Sequence, residues 1–244
     1  MKRYKVIVSY DGTNYHGWQV QDKHITVQEI IEKVLSKIND KPIKIVASGR
    51  TDQHVHALNQ VFHFDSSLMM NPTQWQKAIN RYLPADIYIK KVEAVNDDFH
   101  ARYNVIAKKY EYYLNMGEYD LFSHNHIYQL NRFLDIDTMK ETAIIFKGTH
   151  DFSSFCQNSL EETPNQIRTI TNIQIEVTEN IVKFVFVGDG FLRYMVRMIV
   201  GTLIEVGKKR LTKTDVKQML DACDKTVCHY KAKPEGLYLS EVYY

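Results

Sequence analysis

Cysteine is scarce: three residues in a chain of 244, an odd number that does not read as a disulfide framework. Cys223 and Cys228 with His229 have the chemistry of zinc ligands, but no second pair is present to complete a tetrahedral set. No stretch approaches 18 consecutive apolar residues, so no membrane-spanning helix is expected. The basic start, "MKRYKVIVSYDG", lacks the apolar stretch and small-residue cleavage site of a signal peptide and alternates like a strand instead. These absences point to a reduced, cytoplasmic protein. Charge of one sign is lacking too, the net value being +2; basic residues gather only locally, at Lys108-Lys109, Lys208-Lys209-Arg210 and Lys231 to Lys233. Each cluster alone reads as a solvated face, although binding phosphates needs a local basic groove rather than a high overall charge. A P-loop, a dinucleotide fingerprint and H-E-x-x-H are all missing.

What is present is ordinary globular material, 44% hydrophobic and 25% charged, enough for a proper core. Residues 2–10 alternate, with Tyr4, Val6, Val8 and Tyr10 on one face, and predict a strand. In "TVQEIIEKVLSKI", Thr26 and Glu29 form a capping-box pattern ahead of a helix with apolar residues at helical spacing. Strands are expected near 43–48 and 60–65, then a helix with Asn71 as cap and Pro72 at its first position, then a strand near 86–95. That order is β-α-β-β-α-β, the ferredoxin-like plan. The second half repeats it: a strand near 107–115, a helix at about 137–147 stopped by Gly148, and two strands flanking Glu179-Asn180. Helices at about 190–206 and 212–222 and a strand at 237–243 follow. The polar stretch 149–166 reads as a long loop. No Pro/Gly/Ser linker separates the halves. The expected class is therefore α+β, with two fused ferredoxin-like subdomains, 1–105 and 106–244, a shared central antiparallel sheet and a catalytic cleft between them.

Within the first half, residues 47–60 read "ASGRTDQHVHALNQ" and place Arg50, Asp52, His54 and His56 in one loop. Four readings of this stretch stand side by side. It could be a solvated turn with a weak surface pair between Arg50 and Asp52. Asp52, His54, His56 and His63 could hold a metal, although a downstream C-x-x-C is missing. The chain could bind RNA without chemistry, since ferredoxin-like sheets do so through surface aromatics, but "KFVFVGDGF" fails the aromatic ribonucleoprotein pattern at its second position. Or Asp52 could be a nucleophile, a carboxylate kept ionised in a partly dry pocket by an arginine, with Arg50 and Arg197 as candidates.

"GRTDQHVHALNQ" resembles the signature G-R-T-D-x-G-V-H-A of the bacterial tRNA pseudouridine synthase A (TruA) family. Four further blocks fit that family in order and spacing: "SYDGTNYHGWQVQ", "FHARYNVIAKKYEYYL", "GFLRYMVRMIVGTLIEVG" and "KPEGLYLSEVYY". The resemblance spans essentially the whole chain. It implies an isomerase that detaches uracil from its ribose at N1, rotates it and rejoins it through C5, without metal or cofactor. It implies that Asp52 is the nucleophile and that Tyr110 packs against the target base. Arg197 would pair with the aspartate, Arg50 would handle the extruded nucleotide, and Leu237 would form an apolar pocket wall. The implied partner is tRNA, at uridines 38, 39 and 40 of the anticodon arm, and the implied assembly is a homodimer in which one RNA contacts both subunits. One departure stands out: the family's glycine two residues after the aspartate is His54 here, and Gln53 and Asn59 also differ from the commoner residues. Glycine is usual where φ is positive or something must approach closely, so if this position keeps the family's glycine-like backbone, His54 takes a left-handed or bridge geometry.

Overall fold

A computed structural model describes all residues from Met1 to Tyr244. The chain forms two compact units, one of Met1–Ile106 together with Tyr238–Tyr244, the other of Ala107–Leu237. The architecture is α+β, with mostly antiparallel pairing and five α-helices.

In the first unit the order is β1 (Lys2–Tyr10), α1 (Val27–Asn39), β2 (Val46–Ala47), β3 (His56–Ser66), α2 (Pro72–Tyr82) and β4 (Ile87–Val95). β1 lies between β4 and β3, antiparallel to both, and β2 pairs with β3. The alternation read from the sequence is what buries Tyr4, Val6, Val8 and Tyr10. α2 is closed at its start by a full capping box between Asn71 and Gln74, with Pro72 in the first turn. Its Trp75 ring meets Phe64 edge-on at 5.0 Å and Tyr4 at 5.5 Å, fully buried. A ring this deep is worth about 3–5 kcal/mol against alanine. α1 starts at Thr26, whose side chain accepts from the Glu29 N–H, and packs Ile31 and Leu35 inward.

β3 is longer than the expected 60–65 segment and begins at His56, directly after the Arg50–His54 loop. The strand expected near 43–48 shrinks to two residues, since Ile43 and Ile45 give their N–H groups to side chains of α1, Ser36 at 2.9 Å and Glu32 at 3.2 Å, rather than to a neighbouring strand. β10 (Leu237–Tyr243) ends the second repeat in sequence order, yet Tyr238–Tyr244 packs with the first unit. There it runs parallel to β3, Tyr238 opposite His56 and Leu239 opposite Ala57.

The second unit contains β5 (Ala107–Asn115), β6 (Tyr128–Gln129), α3 (Ile136–Ala143), β7 (Gly148–Asp151), β8 (Ile167–Thr178), β9 (Ile181–Gly188), α4 (Met195–Gly207) and α5 (Lys213–Ala222). Its strands lie in the order β5-β9-β8-β7, with β6 parallel to the end of β5. β9 buries Val182, Phe184, Val185 and Phe186, both faces at once, as the unbroken apolar run requires. The stretch expected as a loop at 149–166 is partly ordered. Gly148, at φ +110°, opens β7 rather than merely stopping a helix, and Phe152 and Phe155 around a short 3₁₀ turn are fully buried. α4 begins at Met195, later than 190, because Tyr194 sits at φ 63° and no α-helix passes through that conformation.

On β5 the buried Glu111 lies 2.8 Å from Lys109 and 3.1 Å from Lys183, and it accepts the Tyr113 hydroxyl at 2.8 Å. Burial opposes ionisation of this carboxyl, but its three partners outweigh that and hold it below the usual range. A depressed folded pKa contributes stability above the unfolded value of 4.5, and that contribution is lost as pH falls through the folded one. Glu111→Gln is therefore expected to cost about 1–3 kcal/mol at neutral pH, with the gap to the parent closing below about pH 4. Urea melts over that pH range check it, and a gap that stays constant would mean the carboxylate's charge is not what stabilises.

Candidate active site

The Asp52 loop is built on backbone contacts to the segment that follows β1. Val55 N–H donates to the Asp52 carbonyl at 3.2 Å, closing a turn whose third residue, His54, has φ 62°. Gln53 has no positive φ, which makes this a type II arrangement, normally a place for glycine. Of the left-handed and bridge geometries open to His54, the left-handed one is present. A hydrogen bond not visible from sequence accompanies it: His54 Nδ1 lies 2.8 Å from the Thr13 carbonyl. A carbonyl only accepts, so Nδ1 carries the proton. His54 N–H also donates to Tyr15 O at 3.2 Å, and Trp18 N–H to Thr51 O at 3.2 Å.

Two glycines of "YDGTNYHGW" explain how the backbones come so close. A Cβ on Gly12 would fall 2.1 Å from the Val55 carbonyl oxygen, and one on Gly17 2.6 Å from that of Thr51. Gly17 also sits at φ +85°. Thr51 is tied from below by Tyr10, hydroxyl to hydroxyl at 2.8 Å. Tyr15 donates to Asp86 at 2.6 Å, which fastens the same segment to the residue ahead of β4. Asp52 itself is half-buried and Arg50 exposed, both carried on this fixed turn.

His56 is buried and stacks on Tyr238 at 4.7 Å. Its Nδ1 accepts Gly12 N–H at 3.0 Å, which requires the ring proton on the other nitrogen. Asp11 lies 3.1 Å from that same Nδ1, an ion pair only if the ring is protonated, and the directed N–H bond is the firmer indication. His63 is buried, accepts Ala101 N–H at 3.1 Å, and is pushed down to about 4, chiefly by burial and then by Arg3. It is a core histidine, neutral at pH 7, placed on β3 away from the turn.

In the second unit, Tyr110 on β5 is buried and meets Phe191 edge-on at 5.1 Å. Arg197, in the first turn of α4, is 7% exposed; its Nε donates to the Ala232 carbonyl at 2.9 Å. Ala232 N–H returns a bond to the Arg197 carbonyl. The 230–232 backbone can approach because Gly201 faces it, where a Cβ would fall 2.8 Å from Lys231 N. The Arg197 guanidinium also lies 5.1 Å from the Tyr194 ring. Tyr194 is thus a holder of Arg197 that the sequence did not disclose, its signal being an aromatic at the break before a buried helix. Leu237 is buried at the start of β10, after a 3₁₀ turn whose Gly236 rests on Tyr112 and Tyr113. Of the residues singled out by sequence, Arg50 and Asp52 share one turn, while Tyr110 and Arg197 are both held by the Phe191–Arg197 segment.

A family described as tRNA pseudouridine synthase matches residues 6–104 and 142–244. The chain is 42% identical to the tRNA pseudouridine synthase A of Exiguobacterium sibiricum, over 100% of this chain and 97% of that protein. It is 41% identical to that of a Geobacillus species, covering 100% and 98%, and 40% identical to that of Acetivibrio thermocellus, covering 100% of both. The chain belongs to the tRNA pseudouridine synthase family, and is an enzyme of the isomerase class.

The His54 turn makes a stability prediction. His54→Ala keeps the left-handed backbone and loses the bond to Thr13, an expected loss of about 1–2 kcal/mol. His54→Gly trades that bond and about 0.5–1 kcal/mol of chain entropy against relief of φ, and should stay within about 1 kcal/mol of the parent. His54→Asn tolerates the left-handed region and can donate from its amide, so it should match the parent. Urea unfolding of the three variants tests the order, and an alanine variant as stable as the parent would refute it.

Proposed function

We propose that this enzyme isomerises uridine to pseudouridine in the anticodon arm of tRNA, at positions 38, 39 and 40, acting in the cytoplasm as a homodimer. The N1–C1′ bond breaks, a C5–C1′ bond forms, and a proton lost from C5 is matched by one gained at N1. Atoms balance without an oxidant, a metal or a cofactor. Asp52 is the nucleophile, and Arg197 its charge partner. Tyr110 packs against the base, Arg50 handles the extruded nucleotide, and Leu237 forms an apolar wall.

The observation that carries this reading is the G-R-T-D stretch placed on a turn fixed by backbone contacts to Tyr15 and Trp18. A reacting carboxylate gains from such fixing, because misplacement by an ångström costs orders of magnitude in rate. Extruding a stacked uridine costs a few kcal/mol, and stacking on an aromatic returns about 1–3 kcal/mol, which suits a tyrosine in the role given to Tyr110.

Asp52→Asn is expected to abolish pseudouridine formation on tRNA transcripts while binding persists. Near-normal turnover in that variant would reject Asp52 as nucleophile. If the parent too binds tRNA without modifying it, the chain is an RNA-binding protein without chemistry. Activity is also expected to survive exhaustive EDTA or phenanthroline treatment. Loss that added zinc restores would instead assign the Asp52, His54 and His56 cluster to a metal.

A further inference from the structure

Beside the start of α4 the second unit has an open pocket of about 430 Å³, lined among others by Cys156, Met198, Lys225, Cys228, His229 and Lys231. Its walls are uncharged: burial pushes both thiols up, so Cys156 and Cys228 stay protonated at neutral pH. Its charged rim is basic throughout, and no carboxylate lines it. The charge continues past the rim. Lys231 Nζ lies 4.4 Å from the centre of the Tyr194 ring, and the Arg193 guanidinium 4.9 Å from the same centre. Arg193 donates to the Tyr194 hydroxyl at 3.2 Å, and Arg197 meets the ring as well. One aromatic ring thus gathers three cations.

A π face attracts each cation, but the cations repel one another, and a ring carries no compensating charge. Lys33, Lys44, Lys208 and Lys217 all have carboxylate partners, whereas Lys225, Lys231 and Arg193 have none. The net charge of the whole chain is only +2, so this patch is a local excess rather than part of a uniformly basic surface. An excess of this kind is relieved by an anion with several acceptor oxygens. An open pocket with uncharged walls and basic groups around it admits a phosphate on a continuing strand.

We propose that this pocket, with Lys225, His229 and Lys231 at its rim and Arg193 beside it, is a docking point for a backbone phosphodiester of the RNA substrate. The inference rests on the tRNA reading above and adds a second anchoring point to it. A contact of this kind sets where the strand lies and reads no base. It therefore supplies affinity and register, not the choice of uridine.

The test is the salt dependence of tRNA binding by the full-length chain, between about 50 and 200 mM salt, for the parent, Lys225→Gln, Lys231→Gln and the double variant. Lys33→Gln, on α1 of the other unit, serves as the control for loss of any one charge. Each rim substitution is expected to weaken binding several-fold at about 100 mM salt. Each should also reduce the slope of log K against log salt by about one, roughly two for the double variant, with the control unchanged. Inorganic phosphate at millimolar concentration should compete less with the double variant than with the parent. If the rim variants keep the control's slope and affinity while the parent binds and modifies tRNA, the docking point is refuted and the tRNA reading stands. A parent that neither binds nor modifies tRNA overturns that reading, and this proposal with it.

Discussion

The structure around Asp52 depends on two carbonyls meeting two α-carbons that carry nothing. At Gly12 and Gly17 the 11–18 segment touches the 51–55 turn backbone to backbone, and any side chain there would collide with Val55 or Thr51. Hydrogen bonds between main-chain atoms then fix spacing and tilt together. Asp52 is placed not by its own contacts alone but by the close backbone contact of these two segments. Tyr10 and His54 tie the same stretches of chain with side-chain bonds, and Tyr15 anchors the 11–18 segment to Asp86. Side chains can change rotamer independently, whereas a backbone sandwich moves as one piece, which suits a group that must hold its aim.

Much of this was legible in the sequence because the physics is local. The alternation of β1, the Asn71–Pro72 start of α2 and the β8–β9 hairpin follow from periodicity and turn chemistry, and the structure keeps them. The Asp52 stretch was legible as a motif, and the missing glycine as a left-handed or bridge geometry at His54, of which the left-handed one is present. What was not legible depends on partners distant in sequence. β6 and β7 are too short to carry a pattern and exist because β5 and β8 offer them edges. The polar stretch after Gly148 hides two core phenylalanines, since Phe152 and Phe155 are too few to show a period. The late start of α4 follows from Tyr194, which no propensity scale places in the left-handed region. The Thr13 partner of His54 lies forty-one residues upstream, beyond any window of spacing.

His54 and Tyr194 illustrate two ways of using a costly backbone conformation. Both are bulky residues at φ near +60°. At His54 the side chain gives back part of the cost through a hydrogen bond that also stiffens the turn. At Tyr194 the ring becomes the meeting place of three cations and the support of Arg197, while the helix it precedes has no side-chain cap. Strain of this kind gathers where side chains are aimed rather than where they merely fill space.

The last strand carries a consequence for how the protein is made. Tyr238 lies beside His56, so the first unit is not continuous in sequence: its sheet is completed by residues that follow the whole second unit. A ribosome releases those residues only after the whole second unit. During synthesis, β3 presents an unfilled edge for as long as it takes to translate the whole second unit. Pairings of such long separation are slow to form, and an exposed strand edge invites association with other chains. The nascent chain thus has its most vulnerable interval between the emergence of residue 66 and that of residue 238.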